Sequence, residues 1–323
     1  MPFRISFVAA LLIVLATSNS VHAVALPKPQ KGEDKSIKLP VLFDDGVLGD
    51  ITNKFYEHVP GVKYTVKEWE PDYYPAACIS ESQSNNKCPV SDMKVYDVTY
   101  EDCPQPWTMC RCSGAVVSSE RLFEFFARVP VKARAEIRHM FAWPNQKGLA
   151  AYAFGPDIGL TNPLQTGDGK QDMNAIIHEA GHVLDQGASD STQMLDALSK
   201  DKCVLRPYSQ VSRGENLGNL MVMTYFKMTN PKEYNRVYEE KRMSCMKHQL
   251  DFMEKRYAER MTPGGTCPPR LHKNSEKKHV PGGVLTKKDL ELLQRDLPDG
   301  IWTRHEDHGM YPHGHIHDHP NHF

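Results

Sequence analysis

Residues 172–187 of this 323-residue chain read DMNAIIHEAGHVLDQG. An aspartate suited to capping a helix opens the run, apolar residues follow at helical spacing, and a glycine closes it, so it predicts a helix over 172–186. Inside this helix, His178, Glu179 and His182 form the pattern HExxH. Positions i and i+4 share one helix face about 6 Å apart, so both imidazoles can reach one zinc ion at roughly 2.0–2.1 Å.

The carboxylate between the two histidines has a separate role in this pattern. Glu179 projects beside the metal position, where it can act as general base toward a zinc-activated water molecule. The alternative is that His178 and His182 are ordinary histidines on the surface of an amphipathic helix.

A catalytic zinc ion takes three protein ligands, so a third must come from elsewhere. The extended pattern with a third histidine would need glycine and histidine where Asp185 and Ala188 stand. A carboxylate from another helix remains, and Glu215 begins the next suitable helix, 33 residues after His182. Asn219, one turn on, could bond a ligand histidine. Glu215 could also be a first-turn glutamate that the helix dipole favours.

These residues resemble the gluzincin clan of zinc metallopeptidases, and more narrowly the catalytic domain of anthrax lethal factor. The resemblance covers residues 115–230 and includes residues 178–185 (HEAGHVLD) and Tyr208, seven residues before Glu215. It implies that Tyr208 donates a hydrogen bond to the oxyanion of the tetrahedral intermediate, and that Asp185 supports a ligand histidine. The acidic and aromatic run that follows the third ligand in that family is not repeated here, and Tyr208 could be an ordinary loop tyrosine.

The N-terminus has the features of a secretory signal peptide, residues 1–23. Arg4 precedes an apolar run over residues 5–16, and a small-x-small site places the first mature residue at Val24. An uncleaved anchor helix is the alternative, although the apolar run is shorter than a membrane span needs. No other run is long and apolar enough to cross a bilayer, so the mature protein is expected to be secreted, to the extracellular space or the cell wall.

Eight cysteines follow this cleavage site, which in an oxidising compartment predicts up to four disulfides. Five lie in 78–112 and three in 203–267, so full pairing requires at least one bridge between the two groups. Cys110 and Cys112 are too close to pair comfortably with each other, so each needs another partner. A zinc site made of cysteines is the rival interpretation, but no pair has Cys-x-x-Cys spacing.

The chain divides into a signal peptide (1–23), an arm or propeptide (24–60), a cysteine-rich β segment (61–114), a zincin-like metallopeptidase domain (115–270) and a polar, histidine-rich tail (271–323). Short β-type runs precede mostly helical patterns, which predicts an α+β fold. The expected catalytic domain has a small sheet, the active-site helix and a following helical subdomain, with a disulfide-rich part before it.

Further elements follow from local patterns. The segment Leu149–Thr161 predicts a strand broken at Gly155, and the resemblance implies that an extended substrate lies along it. Other helices are expected from Ser118, over Pro130–Phe141, Ser191–Asp201 and Glu215–Met228, and over Pro231 to about Arg260.

The C-terminus carries seven of the fifteen histidines. Four alternate along the chain and could form an auxiliary metal site: His313, His315, His317 and His319. A solvated, disordered end is the alternative.

The sequence predicts a secreted zinc-dependent peptidase with Zn²⁺ as cofactor and peptides or proteins as substrates. A balance of 39 basic and 40 acidic residues gives no reason to expect nucleic acid as a partner, and no membrane partner is expected after signal cleavage. The alternative is a catalytically silent secreted metal-binding protein, associated with the cell wall or spore, that uses the tail. In overall organisation the chain also resembles fungal conidiation-specific secreted proteins.

Overall fold

The computed structural model describes residues 36–44, 59–83, 88–146, 150–161, 173–287 and 289. Outside the described residues lie the predicted signal peptide, most of the predicted arm, Asp172 (the predicted start of the HExxH helix), and the four alternating histidines His313, His315, His317 and His319.

A six-stranded sheet, in the order β1-β3-β4-β5-β7-β6, forms the centre of the described chain. Strands β1, β3 and β4 are antiparallel, β4, β5 and β7 are parallel, and β6 turns back antiparallel on β7. A small antiparallel pair joins β2 to β8. The strands are β1 (Tyr64–Glu68), β2 (Tyr73–Pro75), β3 (Met93–Tyr100), β4 (Trp107–Cys112), β5 (His139–Ala142), β6 (Ala151–Phe154), β7 (Asp157–Leu160) and β8 (Lys277–His279).

Helices pack on this sheet and make up most of the described residues after 172. They are α1 (Ala76–Gln83), α2 (Ser119–Arg128), α3 (Val131–Arg134), α4 (Met173–Asp185), α5 (Thr192–Lys200), α6 (Arg213–Thr229), α7 (Pro231–Glu240) and α8 (Lys247–Met261). The prediction of an α+β fold is confirmed. Strands from both the cysteine-rich segment and the predicted catalytic domain share one sheet, so the two segments are parts of one structure.

The helix predicted over Pro130–Phe141 is wrong in its second half. Helix α3 ends at Arg134, and residues 139–142 form β5, which is buried throughout. This strand lies between β4 and β7 and pairs with both. An apolar strand in the parallel centre of a sheet is buried on both faces, so its sequence does not alternate and resembles a buried helix.

The long helix predicted from Pro231 to about Arg260 is divided. Helix α7 ends at Glu240, Arg242 has a left-handed backbone conformation (φ 54°), and α8 begins at Lys247. The break is fixed by Cys245, which is bonded to Cys203 and whose carbonyl accepts from Lys202 N at 2.7 Å. A distant covalent constraint therefore overrides a local pattern that favours one helix.

All eight cysteines are paired, and the grouping expected from their positions is confirmed. Cys103–Cys267 joins the two groups, and Cys110 and Cys112 have separate partners. The bridges are Cys78–Cys110, Cys88–Cys112, Cys103–Cys267 and Cys203–Cys245. Four disulfides are consistent with an extracellular protein. Among the described helices, none combines the length and the apolar character that a membrane crossing requires.

Two of these bridges provide a test of how the disulfides stabilise the fold. Cys103–Cys267 closes a loop of 164 residues and Cys88–Cys112 one of 24. Because the entropy that a cross-link removes from the unfolded chain grows with loop length, replacing the first pair by alanines should cost about 1.7 kcal/mol more stability than replacing the second. Urea unfolding of the two double variants measures the difference, and equal losses would contradict the explanation.

Candidate metal centre

Helix α4 carries the HExxH pattern and is enclosed by other parts of the chain. It packs against α6 on one side and against the edge strand β6 on another. His178, Glu179 and His182 are each no more than 8% exposed. Surface histidines on an amphipathic helix, the alternative interpretation of the pattern, would be solvated, and these are not.

Two glycines allow α4 and α6 to approach closely. A Cβ atom on Gly181 would lie 3.0 Å from the Cα atom of Gly218 and 3.0 Å from Cβ of Met221. A Cβ atom on Gly218 would lie 2.6 Å from Cε1 of His178, closer than real side chains come. The imidazole of His178 therefore occupies the space that Gly218 leaves open.

Glu215 lies in the first turn of α6, and its backbone and side chain have separate partners. The helix is capped by Ser212, whose Oγ accepts from the backbone N–H of Glu215 at 3.1 Å. In a reciprocal capping box the glutamate would turn back toward the Ser212 backbone. Here the carboxylate points toward the histidines instead, with Oε2 2.8 Å from Nε2 of His178. Glu215 is therefore a first-turn glutamate whose side chain is also oriented like a metal ligand.

Three potential ligand atoms converge at this point. The Nε2 atoms of His178 and His182 are 3.1 Å apart, and Oε2 of Glu215 lies 2.8 Å from the first and 3.3 Å from the second. Among the described residues, these three form the cluster suited to holding a metal ion. The structure thus brings together the three ligands expected from the sequence.

The three residues fit a zinc ion in both chemistry and spacing. Two imidazoles and one carboxylate are a usual donor set for catalytic zinc, and tetrahedral ligands at about 2.05 Å lie roughly 3.3 Å from each other. Their mutual distances here are 2.8–3.3 Å. Two buried carboxylates, Glu179 and Glu215, also lie at the site. A divalent cation held by the three ligands would offset their charge, which burial otherwise makes costly.

Glu179 lies beside the ligands and is held by the sheet. The backbone N–H of Ala153 in β6 donates to its carboxylate. The pKa of Glu179 is raised to about 7, chiefly by burial, with a lowering effect of His182 and a smaller raising effect of the nearby Glu215 carboxylate. A carboxyl group with a pKa near neutrality is suited to accepting and releasing a proton.

The ligand residues influence one another's protonation. Burial lowers the pKa of both histidines, but for His182 the Glu215 carboxylate outweighs burial and raises the pKa to about 9. For Glu215, burial acts upward, yet the neighbouring histidines hold its pKa well below the usual range. Glu215 is therefore in its ionised, ligand-competent form.

Tyr208 lies next to the ligands on a short 3₁₀ helix, Pro207–Gln210. Its ring centroid is 5.8 Å from that of His178, and the guanidinium carbon of Arg206 lies 5.5 Å from the centre of the tyrosine ring. The structure thus brings the tyrosine expected from the resemblance to the edge of the candidate metal centre.

Asn219 contacts different residues from those expected. Its Oδ1 accepts from Nε of Arg206 at 2.8 Å, and its Nδ2 donates to Oγ of Ser209 at 3.0 Å. Within the described part of the chain, Nδ1 of His178 is buried without a hydrogen-bond partner. Asn219 therefore holds one residue on each side of Tyr208 and not, as expected, a ligand histidine, because the turn of residues 207–210 packs against α6.

Asp185, at the end of α4, forms its hydrogen bonds with Ser189. One carboxylate oxygen accepts from the Ser189 backbone at 2.7 Å and the other from its hydroxyl at 2.6 Å. These bonds close the turn after α4. The negative charge of Asp185 also helps to raise the pKa of His182, so Asp185 acts on this histidine electrostatically.

Four contributors to the site were not identified from the sequence: Ser212, Gly218, Arg206 and Ala153. Two of them had a recognisable signal. Ser212 stands three residues before Glu215, which is the spacing of a capping box. Gly218 is a glycine inside a helical pattern, which costs about 1 kcal/mol relative to alanine and so indicates a packing constraint. The contacts of Arg206 and Ala153 depend on tertiary structure and have no local signature.

Comparison with known proteins gives a family and one curated relative. The family described as conidiation-specific protein Con-13 matches residues 44–274. Conidiation-specific protein 13 of Neurospora crassa is 28% identical over 231 residues, which cover 69% of this chain and 62% of that protein. This chain thus matches less than two thirds of the length of the curated relative. No solved structure matches it.

The close approach at Gly218 makes a specific prediction. Replacing Gly218 by alanine should displace the His178 ring and weaken zinc binding about 10–100-fold, the range typical of changes that disturb ligand orientation. Competition titration with a chromogenic chelator measures the affinity. Gly114→Ala is the matched control, because its new Cβ atom would lie 3.6 Å from the nearest atom, an ordinary contact. Equal zinc affinity in both variants would show that the ring tolerates the added atom.

Proposed function

The chain belongs to the conidiation-specific protein Con-13 family, and within that family we propose that it is a secreted zinc-dependent peptidase. The observation that carries the proposal is the convergence of His178 Nε2, His182 Nε2 and Glu215 Oε2, with a second buried carboxylate, Glu179, beside them. Three ligands from two helices leave room for a substrate or water as fourth ligand, which distinguishes catalytic from structural zinc sites.

The chemistry divides between the ion and the chain. When bound, zinc would polarise the scissile carbonyl and make a water molecule acidic enough to act as nucleophile near neutral pH. Glu179 takes the proton of the attacking water and passes it to the leaving amine. Its hydrogen bond from Ala153 N–H fixes the carboxylate against the sheet, so the base has a defined position relative to the ligands.

Tyr208 is proposed to stabilise the charge that develops during the reaction. Its phenol can donate a hydrogen bond to the oxyanion of the tetrahedral intermediate. The position of the ring beside His178 supports this role. Arg206, whose Nε is held by Asn219 and whose guanidinium lies near the tyrosine ring, adds positive charge on the same side of the site.

The proposed substrate is a peptide or protein segment in extended conformation. Strand β6 ends the order of the six-stranded sheet and lies directly over the catalytic helix. An extended peptide that adds to such an edge has its backbone held by hydrogen bonds next to the site. The sequence predicts one strand broken at Gly155, whereas the structure has two antiparallel strands, β6 and β7, that meet there, and the position of β6 supports this mode of binding.

A variant of the proposed base separates metal binding from catalysis. Glu179→Gln keeps the shape and hydrogen-bond acceptor of the side chain but removes its basicity, so we expect full zinc content and a loss of peptide cleavage of about 100-fold or more. His178→Ala and His182→Ala should lose the zinc as well. Zinc content by atomic emission and cleavage of a fluorogenic peptide library provide the measurements, preferably on a chain without residues 290–323, so that the tail histidines bind no metal.

Glu239→Gln, an exposed glutamate on α7, is the control for this experiment. Unchanged cleavage in Glu179→Gln would refute the mechanism. A tail-deleted chain that takes up no zinc would instead support a silent metal-binding protein that works through its tail.

The proposed role of Tyr208 predicts a change in turnover alone. Tyr208→Phe should lower kcat about 100-fold, the effect of losing one donor to the oxyanion, with KM and zinc content nearly unchanged. Tyr238→Phe, on α7 and likewise partly buried, is the control. Steady-state kinetics compare the two, and equal kcat values would assign Tyr208 a packing role.

A further inference from the structure

A short N-terminal segment, residues 37–43, lies along the turn that carries Tyr208. We name this segment the strap. Ile37 N donates to Gln210 O at 2.9 Å, and the Gln210 side chain returns a bond from Nε2 to the carbonyl of Leu39 at 2.8 Å. These two bonds fix the end of the turn that follows Tyr208.

The other end of the strap fixes the start of the same turn. Leu42 N donates to Val204 O at 2.9 Å, and Val204 N donates to Pro40 O at 2.8 Å. Phe43 N donates to Leu205 O at 2.9 Å. Five hydrogen bonds in total therefore hold residues 204–210 on both sides of Tyr208.

The strap is also part of the hydrophobic interior. Ile37 is 8% exposed and Phe43 is 4% exposed, and Phe43 belongs to the main apolar core. A propeptide that is removed on activation would leave these contacts unfilled. The strap precedes the region that matches the family, which begins at residue 44, so membership of the family carries no information about it.

We propose that the strap remains in the mature protein and positions Tyr208 at the metal centre. The inference rests on the proposed function for its catalytic part. The turn is held from the core side by Asn219, which bonds Arg206 and Ser209, and from the strap side by the backbone bonds to Val204, Leu205 and Gln210. Removal of either support would let the tyrosine move relative to His178, and a displacement of about 1 Å in such a group can reduce turnover about 100-fold.

A pair of variants at one position tests the strap. Leu42→Pro removes the side chain and the N–H that bonds Val204, whereas Leu42→Ala removes most of the side chain and keeps the N–H. We expect kcat to fall at least about tenfold in the proline variant relative to the alanine variant, with KM and zinc content equal in the two. Amide hydrogen exchange over residues 204–210 should be faster in the proline variant alone. N-terminal sequencing of the secreted protein should give a start at or before residue 36.

Each other outcome has a definite meaning. A mature N-terminus beyond Phe43, or equal exchange and kcat in the two Leu42 variants, would overturn the proposal. A proline variant that loses zinc together with activity would overturn the positioning role, since the strap would then act on the metal centre as a whole. If the wild-type chain cleaves no peptide, the proposed function fails, and the exchange and sequencing results still decide whether the strap is retained and holds the turn.

Should Leu42→Pro fail to fold, Gln210→Leu replaces it, because this variant removes the single side-chain bond to Leu39. Gln210→Leu should also lower kcat and make amide exchange over residues 204–210 faster, but by less than Leu42→Pro. Wild-type kcat and exchange in Gln210→Leu would then overturn the proposal.

Discussion

The contact between α4 and α6 at Gly181 and Gly218 is the constraint on which the site depends. The two histidines come from one helix and the glutamate from the other, so the three ligand atoms meet only if the helices approach closely. The approach leaves little space for a side chain at Gly181 and none at Gly218, where the His178 ring fills the gap. An interior glycine reduces the intrinsic stability of its helix by about 1 kcal/mol, α4 at Gly181 and α6 at Gly218, which the packing of the two helices must offset.

The rest of the structure holds these two helices from opposite sides. On the sheet side, β6 packs against α4 and bonds Glu179 through Ala153. On the other side, Asn216, which follows Glu215, donates to Gln249 of α8 at 2.8 Å. Gln249 in turn donates to the carbonyl of Cys203, whose sulfur is bonded to Cys245. A chain of buried hydrogen bonds therefore connects the ligand helix to a disulfide, and an oxidising environment supports the site as well as the fold.

The elements that could be predicted from the sequence are those with a local signal. The helix with His178 and His182 has a strong period and a clear C-terminal stop, and Glu215 begins the next suitable helix, so these elements and their residues could be identified. Prediction from the sequence failed where long-range contacts determine the local structure. The strand at residues 139–142 is apolar on both faces and resembles a helix, and the break at Cys245 depends on a bond to Cys203. Asn219 was expected to face the histidines, but tertiary structure places Arg206 and Ser209 within its reach.

Two imidazoles and a carboxylate can converge either by sharing protons or by holding a cation in common. Without a metal ion, a protonated His182, whose pKa is raised to about 9, would pair with the Glu215 carboxylate. That arrangement balances one buried carboxylate and leaves Glu179 as a second. A divalent cation held by the two imidazoles and Glu215, as proposed, would take all three lone pairs and balance both acidic groups. The family name says nothing of a metal, so the second buried carboxylate is what supports the proposed ion.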